Sequence, residues 1–181
     1  MNKIFAIIGP PASGKSSIAA QLRTKHNIYS LISHTTRPPE ADEQEGVNYY
    51  FVEREKFSQL QFVERAIYAG HSYGLSKEEV LHKINSNKIS IIDISMSGFA
   101  QLKKMLGERV ESIYIMVDKD TIIKRYVEEW RDPAEINRRI EYAQAEGEFD
   151  NWQTADYVVK NCNSIDTAVR QVLAIMNCPP R

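Results

Sequence analysis

At 181 residues the chain is the length of one domain with small insertions, and long enough to bury a substantial core. A net charge of −1 supplies no overall field for nucleic acid or an acidic membrane, and 43% hydrophobic with 26% charged residues is the balance of a soluble globular protein. Two cysteines, Cys162 and Cys178, make neither a metal-ligand spacing nor a disulfide framework, which points to a reducing compartment.

The apolar run Ile4 to Ile8 reads as a buried strand. It is too short for a signal peptide or a membrane span, so a cytoplasmic protein is expected. Gly9-Pro10-Pro11-Ala12-Ser13-Gly14-Lys15-Ser16 then fits G-x-x-x-x-G-K-[ST] at every fixed position. Ser17 to Lys25 follows as a helix, with Ile18, Ala19 and Leu22 at helical spacing. Strand, loop and helix together are the setting of a phosphate-binding loop. Gly9 and Gly14 permit backbone angles that let loop N–H groups face phosphate oxygens, and the helix N-terminus adds positive potential. Lys15 is expected on the β- and γ-phosphates, and the Ser16 hydroxyl on Mg²⁺.

Ile28 to Ile32 reads as a second strand, and the prolines Pro38 and Pro39 forbid regular helix beyond it. Gly46 to Val52 reads as an aromatic strand, Glu53 to Gln61 as a short helix, Phe62 to Tyr68 as a strand and Gly70 to Gly74 as a turn. Ser76 with Glu79 three residues on predicts a capping box for a helix ending near Asn85. Lys88 to Ile94 reads as a central parallel strand, with Asp93 at its C-terminal end, where ligands sit in such sheets. Ser97 to Leu106 is a helix, Val110 to Val117 a strand, and Asp118 or Asp120 a cap for a helix from Thr121 to Glu129. Ala134 to Glu148, Tyr157 to Val159 and Ile165 to Met176 complete the pattern as helix, strand and helix. Alternating strands and helices at both ends predict a parallel α/β core, with a mixed, strand-rich lobe inserted between. His26, His34, His71 and His82 have no metal spacing and read as structural or exposed.

Beyond the loop, four groups of residues stand in order. They are Ser33-His34-Thr35-Thr36-Arg37-Pro38; Gly46-x-x-Tyr49-x-Phe51; Phe62-x-Glu64 followed by Tyr73-Gly74; and Asp93 after the isoleucine-rich strand. With Ile136-Asn137-x-Arg139 and Ala143-Gln144-Ala145-Glu146, they make the chain resemble the guanylate kinase family over nearly its whole length. The resemblance implies a P-loop NTPase fold of three α/β/α layers around a parallel sheet. It implies a core of residues 1–32 and 88–181, a monophosphate-binding lobe of 33–87 and a short helical lid near 126–137. It further implies transfer of a phosphoryl group from ATP to GMP with Mg²⁺, and no nucleic-acid or membrane partner.

By the same resemblance, Arg37, Tyr49 and Tyr73 hold the acceptor's phosphate, while Ser33 and Glu64 read its guanine edge and Gly74 lines that site. Asp93 stands beside the magnesium and the acceptor. Arg125 and Arg139 close over the transferring phosphate. Ser17 and Asn161 belong to the donor side, Asn161 near the adenine. The departures are specific. Glu40 stands where a second phosphate-binding arginine is expected, Leu75 in place of a hydroxyl residue, and Ser95 in place of a second acid. Glu129 stands where a lid arginine is expected, and whether the nearby Arg131 takes its place stays open. Two alternatives therefore stay open here: a kinase acting on another monophosphate, nucleotide or sugar, and a non-catalytic phosphopeptide-binding module. The intact loop and the retained Glu64 favour the GMP kinase.

Overall fold

Five consecutive apolar residues, Ile4–Ile8 (β1), are each at most 3% exposed and form the middle of the molecule. The structure is a computed structural model that describes residues 3–41, 43–68, 70–86, 88–128 and 132–178. From β1 the chain runs through α1 (Lys15–His26), β2 (Tyr29–Ser30), β3 (His34–Thr35), β4 (Tyr50–Phe51), α2 (Arg54–Gln59), β5 (Phe62–Tyr68) and β6 (His71–Ser76). It continues through α3 (Lys77–Ile84), β7 (Ser90–Asp93), α4 (Met96–Leu106), β8 (Val110–Met116), α5 (Lys119–Glu128), α6 (Pro133–Ala145), β9 (Tyr157–Lys160) and α7 (Ile165–Ile175).

Five strands make one all-parallel sheet in the order β2-β7-β1-β8-β9. The two faces of β1 explain the layers, because successive side chains point to opposite sides of a sheet. Ile4, Ala6 and Ile8 pack with Val80 and Ile84 of α3 and Phe99 and Leu102 of α4. Phe5 and Ile7 pack with Ile18 and Leu22 of α1 and Val169, Val172 and Leu173 of α7. Burying one such isoleucine contributes about 1.5–3 kcal/mol. A smaller cluster of Val117, Ile122, Tyr126 and Ile136 seats α5 against α6.

The second sheet, β4-β3-β6-β5, is mixed. β3 runs parallel to β4 and antiparallel to β6, and β5 pairs antiparallel with β6. It is inserted between β2 and α3, as the sequence pattern predicted. Among the described residues no helix is long and apolar enough to cross a membrane.

Several local expectations are corrected. Gly70 to Gly74 is not a turn. Gly70, at φ +77°, makes the reversal, and His71 onward is strand. Gly74 lies in that strand because the Phe62 ring fills the space beside it; a Cβ there would stand 2.5 Å from the ring. A strand glycine of this kind marks close approach rather than a bend. The expected strand from Gly46 to Val52 is reduced to Tyr50–Phe51, because Gly46 at φ +70° and the Val47 N–H to Gln44 O bond curl the chain ahead of it. Ile28 to Ile32 shrinks to the edge strand β2. Helix α1 starts two residues earlier than expected, at Lys15.

The capping box closes on one side. Ser76 Oγ accepts the Glu79 N–H at 3.2 Å, but the Glu79 carboxylate turns away. It accepts from Ile32 N at 3.0 Å and lies 3.3 Å from the Tyr50 hydroxyl, with Lys83 Nζ at 3.6 Å. Buried backbone donors must be satisfied, and Ile32 takes this carboxylate as its acceptor at the point where the chain enters the second sheet.

Candidate active site

The phosphate loop leaves the C-terminal end of β1. Gly9 takes φ +143° because Ile115 O of β8 lies where its side chain would project, 2.7 Å from an ideal Cβ. Gly14 takes φ +94° against the Asn161 amide, 2.5 Å from such a Cβ. Gly14 caps α1 with no side-chain acceptor, unlike Ser76 on α3 and Ser95 on α4, whose hydroxyls accept a first-turn N–H. The opening amides of α1 are thus left for an anion, with the helix dipole behind them. Lys15 Nζ curls over the loop and donates to Gly9 O at 2.8 Å and Pro10 O at 3.0 Å. Burial pushes its pKa down, opposed by the charges of Asp93 and Glu148. A desolvated ammonium of this kind is poised to gain from a polyanion.

Ser16 Oγ lies 2.5 Å from Asp93 Oδ2. The sheet makes this meeting: β1 pairs with β7 in a register that sets Ile7 opposite Asp93, so both strands deliver their functional groups at one edge. A hydroxyl and a carboxylate oxygen side by side suit a hard cation such as Mg²⁺.

Behind the loop, Arg125 on α5 donates from Nη1 to Ala12 O at 2.8 Å and from Nη2 to Asn161 O at 2.7 Å. Asn161 is 2% exposed, and its Nδ2 donates to Ser13 O at 2.8 Å. Both residues therefore fasten the loop, and its residue Ala12 sits at a strained φ of +55°. They also line a second cavity of about 550 Å³ with Gly14, Ser17, Asn163 and Ile165. Asn163 and Ile165 carry no motif that sequence reasoning could use.

Most of the residues expected at the acceptor lie around one cleft on the other side, while Arg37 and Tyr49 stand outside its lining. This cleft of about 460 Å³ is lined by Gly9, Pro11 and Lys15 of the loop, by Ser33 just ahead of β3, by Glu64, Tyr73 and Gly74 of the second sheet, and by Asp93 between them. Leu75, Ser95, Met96, Glu148 and Asn151 are among the other residues of its wall. Tyr49 and Tyr73 meet edge to face with ring centroids 5.7 Å apart, and the Arg37 guanidinium stands 5.8 Å from the Tyr49 ring centre. Burial raises the Tyr49 pKa, with Tyr73 adding to it.

Arg37 is heavily engaged. Nη2 donates to Glu43 Oε1 at 2.7 Å, and Nη1 donates to Pro38 O at 2.8 Å with Glu40 Oε1 at 3.3 Å. The bond to Glu43 raises its pKa and lowers that of Glu43. The substituted position Glu40 thus places a carboxylate, which repels phosphate, against the arginine expected to bind one.

Arg139 on α6 pairs with Glu135 at 2.7 Å and stands 6.0 Å from the Tyr126 ring centre. It shares a groove with Pro11 of the loop and Glu148. The expected lid positions Glu129, Trp130 and Arg131 lie outside the described residues. Glu148 was missed in the sequence. It follows α6 past Gly147, which turns at φ +67°, and its backbone oxygen lies 3.0 Å from the Tyr114 hydroxyl. Burial pushes its carboxyl pKa up, while Lys15 pulls it down.

An amide cradle at the mouth of a parallel sheet, facing a polar cleft across the Ser16–Asp93 pair, is the arrangement of a P-loop phosphotransferase. A protein-family model described as guanylate kinase matches residues 1–178. The guanylate kinase of Synechococcus sp. strain JA-3-3Ab is 33% identical over 98% of this chain and 83% of its own length. That of Koribacter versatilis is 36% identical over 96% and 77% respectively. In three dimensions the chain is similar to the guanylate kinase of Anaplasma phagocytophilum, with a TM-score of 0.70 and 26% identity, covering 97% of this chain and 85% of that one. The chain belongs to the guanylate kinase family, the kinases of nucleoside monophosphates.

Proposed function

We propose that the chain transfers the γ-phosphoryl group of ATP to GMP, giving ADP and GDP. The observation that carries this is the cleft in which Lys15 and Gly9 of the loop face Ser33, Glu64 and Tyr73 across Asp93. ATP lies with its β- and γ-phosphates on the loop amides and Lys15, and its base toward Asn161 and Ser17. Ser16 and Asp93 would hold Mg²⁺, which when bound neutralises charge on the phosphates. GMP presents its phosphate to Arg37, Tyr49 and Tyr73, which requires Arg37 to exchange Glu43 and Glu40 for phosphate oxygens.

Glu64 accepts from guanine N1–H and N2–H, a donor pair that adenine lacks, and Ser33 takes part in reading the same base. A GMP phosphate oxygen attacks the γ-phosphorus while the bond to ADP breaks. The second ionisation of a phosphomonoester falls near pH 6, so at neutral pH the nucleophile needs no general base. The residues' work is positioning and charge neutralisation, with Arg125 and Arg139 supplying cations on the donor and lid sides. The setting is the cytoplasm, where the free thiols of Cys162 and Cys178 stay reduced.

The test is a coupled ADP-release assay with Mg·ATP against GMP, AMP, CMP and UMP. GMP is expected to give the highest kcat/KM. A higher value for AMP would overturn the assignment of the acceptor.

A further inference from the structure

Glu64 does not stand free in the cleft. The pairing of β5 with β6 shifts register between Phe62 and Glu64, an irregularity of the kind that re-aims a side chain. The Glu64 carboxylate is brought against the first turn of α4. There the Ser95 hydroxyl donates to Glu64 Oε1. The same Ser95 oxygen accepts the Gly98 N–H at 3.0 Å, capping the helix. Glu64 Oε2 lies over the bare Cα of Gly98, where any Cβ would collide with it and with the buried Ile94 side chain. Serine suits both bonds at once, having one proton to give and lone pairs to receive. A carboxylate in its place would have no proton to donate at neutral pH.

We infer that Ser95 is a positioning residue that aims Glu64 at the acceptor base, with Gly98 providing the space that this aim requires. The inference rests on the guanine-reading function proposed above. Ser95 belongs to the core and Glu64 to the inserted sheet, so the bond also ties the reader to the rigid part of the molecule. A carboxylate held in place before its ligand arrives has less side-chain freedom to lose on binding. It also lies near the positive end of α4. The replacement of an expected acid at position 95 is, on this account, an alternative means of fixing the reader rather than a simple loss of a contact.

The experiment compares GMP with IMP, which lacks the exocyclic amine, as acceptors for the wild type, Ser95→Ala, Ser95→Thr and Ser95→Asp. For Ser95→Ala the KM for GMP is expected to rise about tenfold. The KM for ATP stays constant, and the preference for GMP over IMP falls. Ser95→Thr, which keeps both bonds, restores the preference. Ser95→Asp keeps an acceptor for the Gly98 N–H and so keeps the helix cap, yet has no proton to give Glu64, so it is expected to reproduce the loss of preference with the cap intact; it also decides the question should Ser95→Ala fail to fold. Unchanged GMP kinetics and an unchanged GMP-to-IMP ratio in these variants would reduce Ser95 to a helix cap and overturn the inference. A wild type that turns over neither GMP nor IMP would refute the function itself, and this assignment with it.

Discussion

Arg125 offers the sharpest test of how the loop is held. Its two bonds, to Ala12 O at 2.8 Å and Asn161 O at 2.7 Å, span from α5 across the loop to the end of β9. Arg125→Met removes both and leaves two carbonyls without that donor. Hydrogen bonds to a charged group contribute about 1.5–3 kcal/mol each. Arg125 is only half-buried, so the lower end applies, and the sum is about 2–4 kcal/mol. For a chain of this size 1 kcal/mol moves the melting temperature by about 2–4 °C, giving a fall of about 5–15 °C. The strained Ala12 linkage relaxes once its carbonyl is released, so the KM for ATP should also rise. Arg125→Lys, which can restore one bond, should fall between. Differential scanning fluorimetry with and without ATP, alongside initial rates, reads all three effects. A melting temperature and a KM for ATP both equal to wild type, with only kcat reduced, would refute the bracing argument and leave Arg125 acting on the transferring phosphate alone.

Lys15→Met should lower kcat by at least about 100-fold, the usual loss for one transition-state donor, while calorimetry finds GMP affinity largely intact. Because burial disfavours the charged amine, the same variant should melt no lower than wild type; a substantially lower melting temperature would contradict that. Glu79→Ala leaves the Ile32 N–H without its acceptor and should cost about 1–3 kcal/mol, read as a lower urea midpoint, whereas Glu79→Gln keeps an acceptor oxygen and should recover part of that cost. Asp118 has its pKa held at about 2 by the Thr121 backbone N–H first, then by Cys162 and the Thr121 hydroxyl. A depressed carboxylate pKa contributes stability present above the unfolded value and lost as pH falls toward the folded one. The melting difference between wild type and Asp118→Asn should therefore narrow from about pH 4 to about pH 2; a constant difference would show that the carboxylate's charge is irrelevant.

The core and the phosphate loop were legible because their signals are local. An unbroken apolar run, a loop with fixed residue types and a helix in register require nothing from distant residues. The placement of Asp93 was legible for a similar reason, since an apolar run that ends in an acid marks the C-terminal end of a buried strand. What escaped depends on contacts across the chain. Gly74 looks like turn chemistry until the Phe62 ring is seen against it. Glu79 looks like half of a capping box until Ile32 arrives needing an acceptor. Arg125 and Asn161 match positions implied by the family, but no local pattern says that a residue at 125 will bond one at 12. Glu148 has no motif at all; Gly147 and the hydroxyl of Tyr114 bring it to the cleft.

The alignment of Ile7 with Asp93 has a consequence for how such a chain tolerates changes in length. One residue added within Ser90–Asp93 would advance the acid by about 3.3 Å and turn it toward the opposite side of the sheet, parting it from Ser16. One residue added at the bend after α3, near Asn85 and Ser86, merely lengthens a surface connection. Insertions and deletions can therefore accumulate around this molecule's rim over evolutionary time, while two adjoining strands stay locked in step.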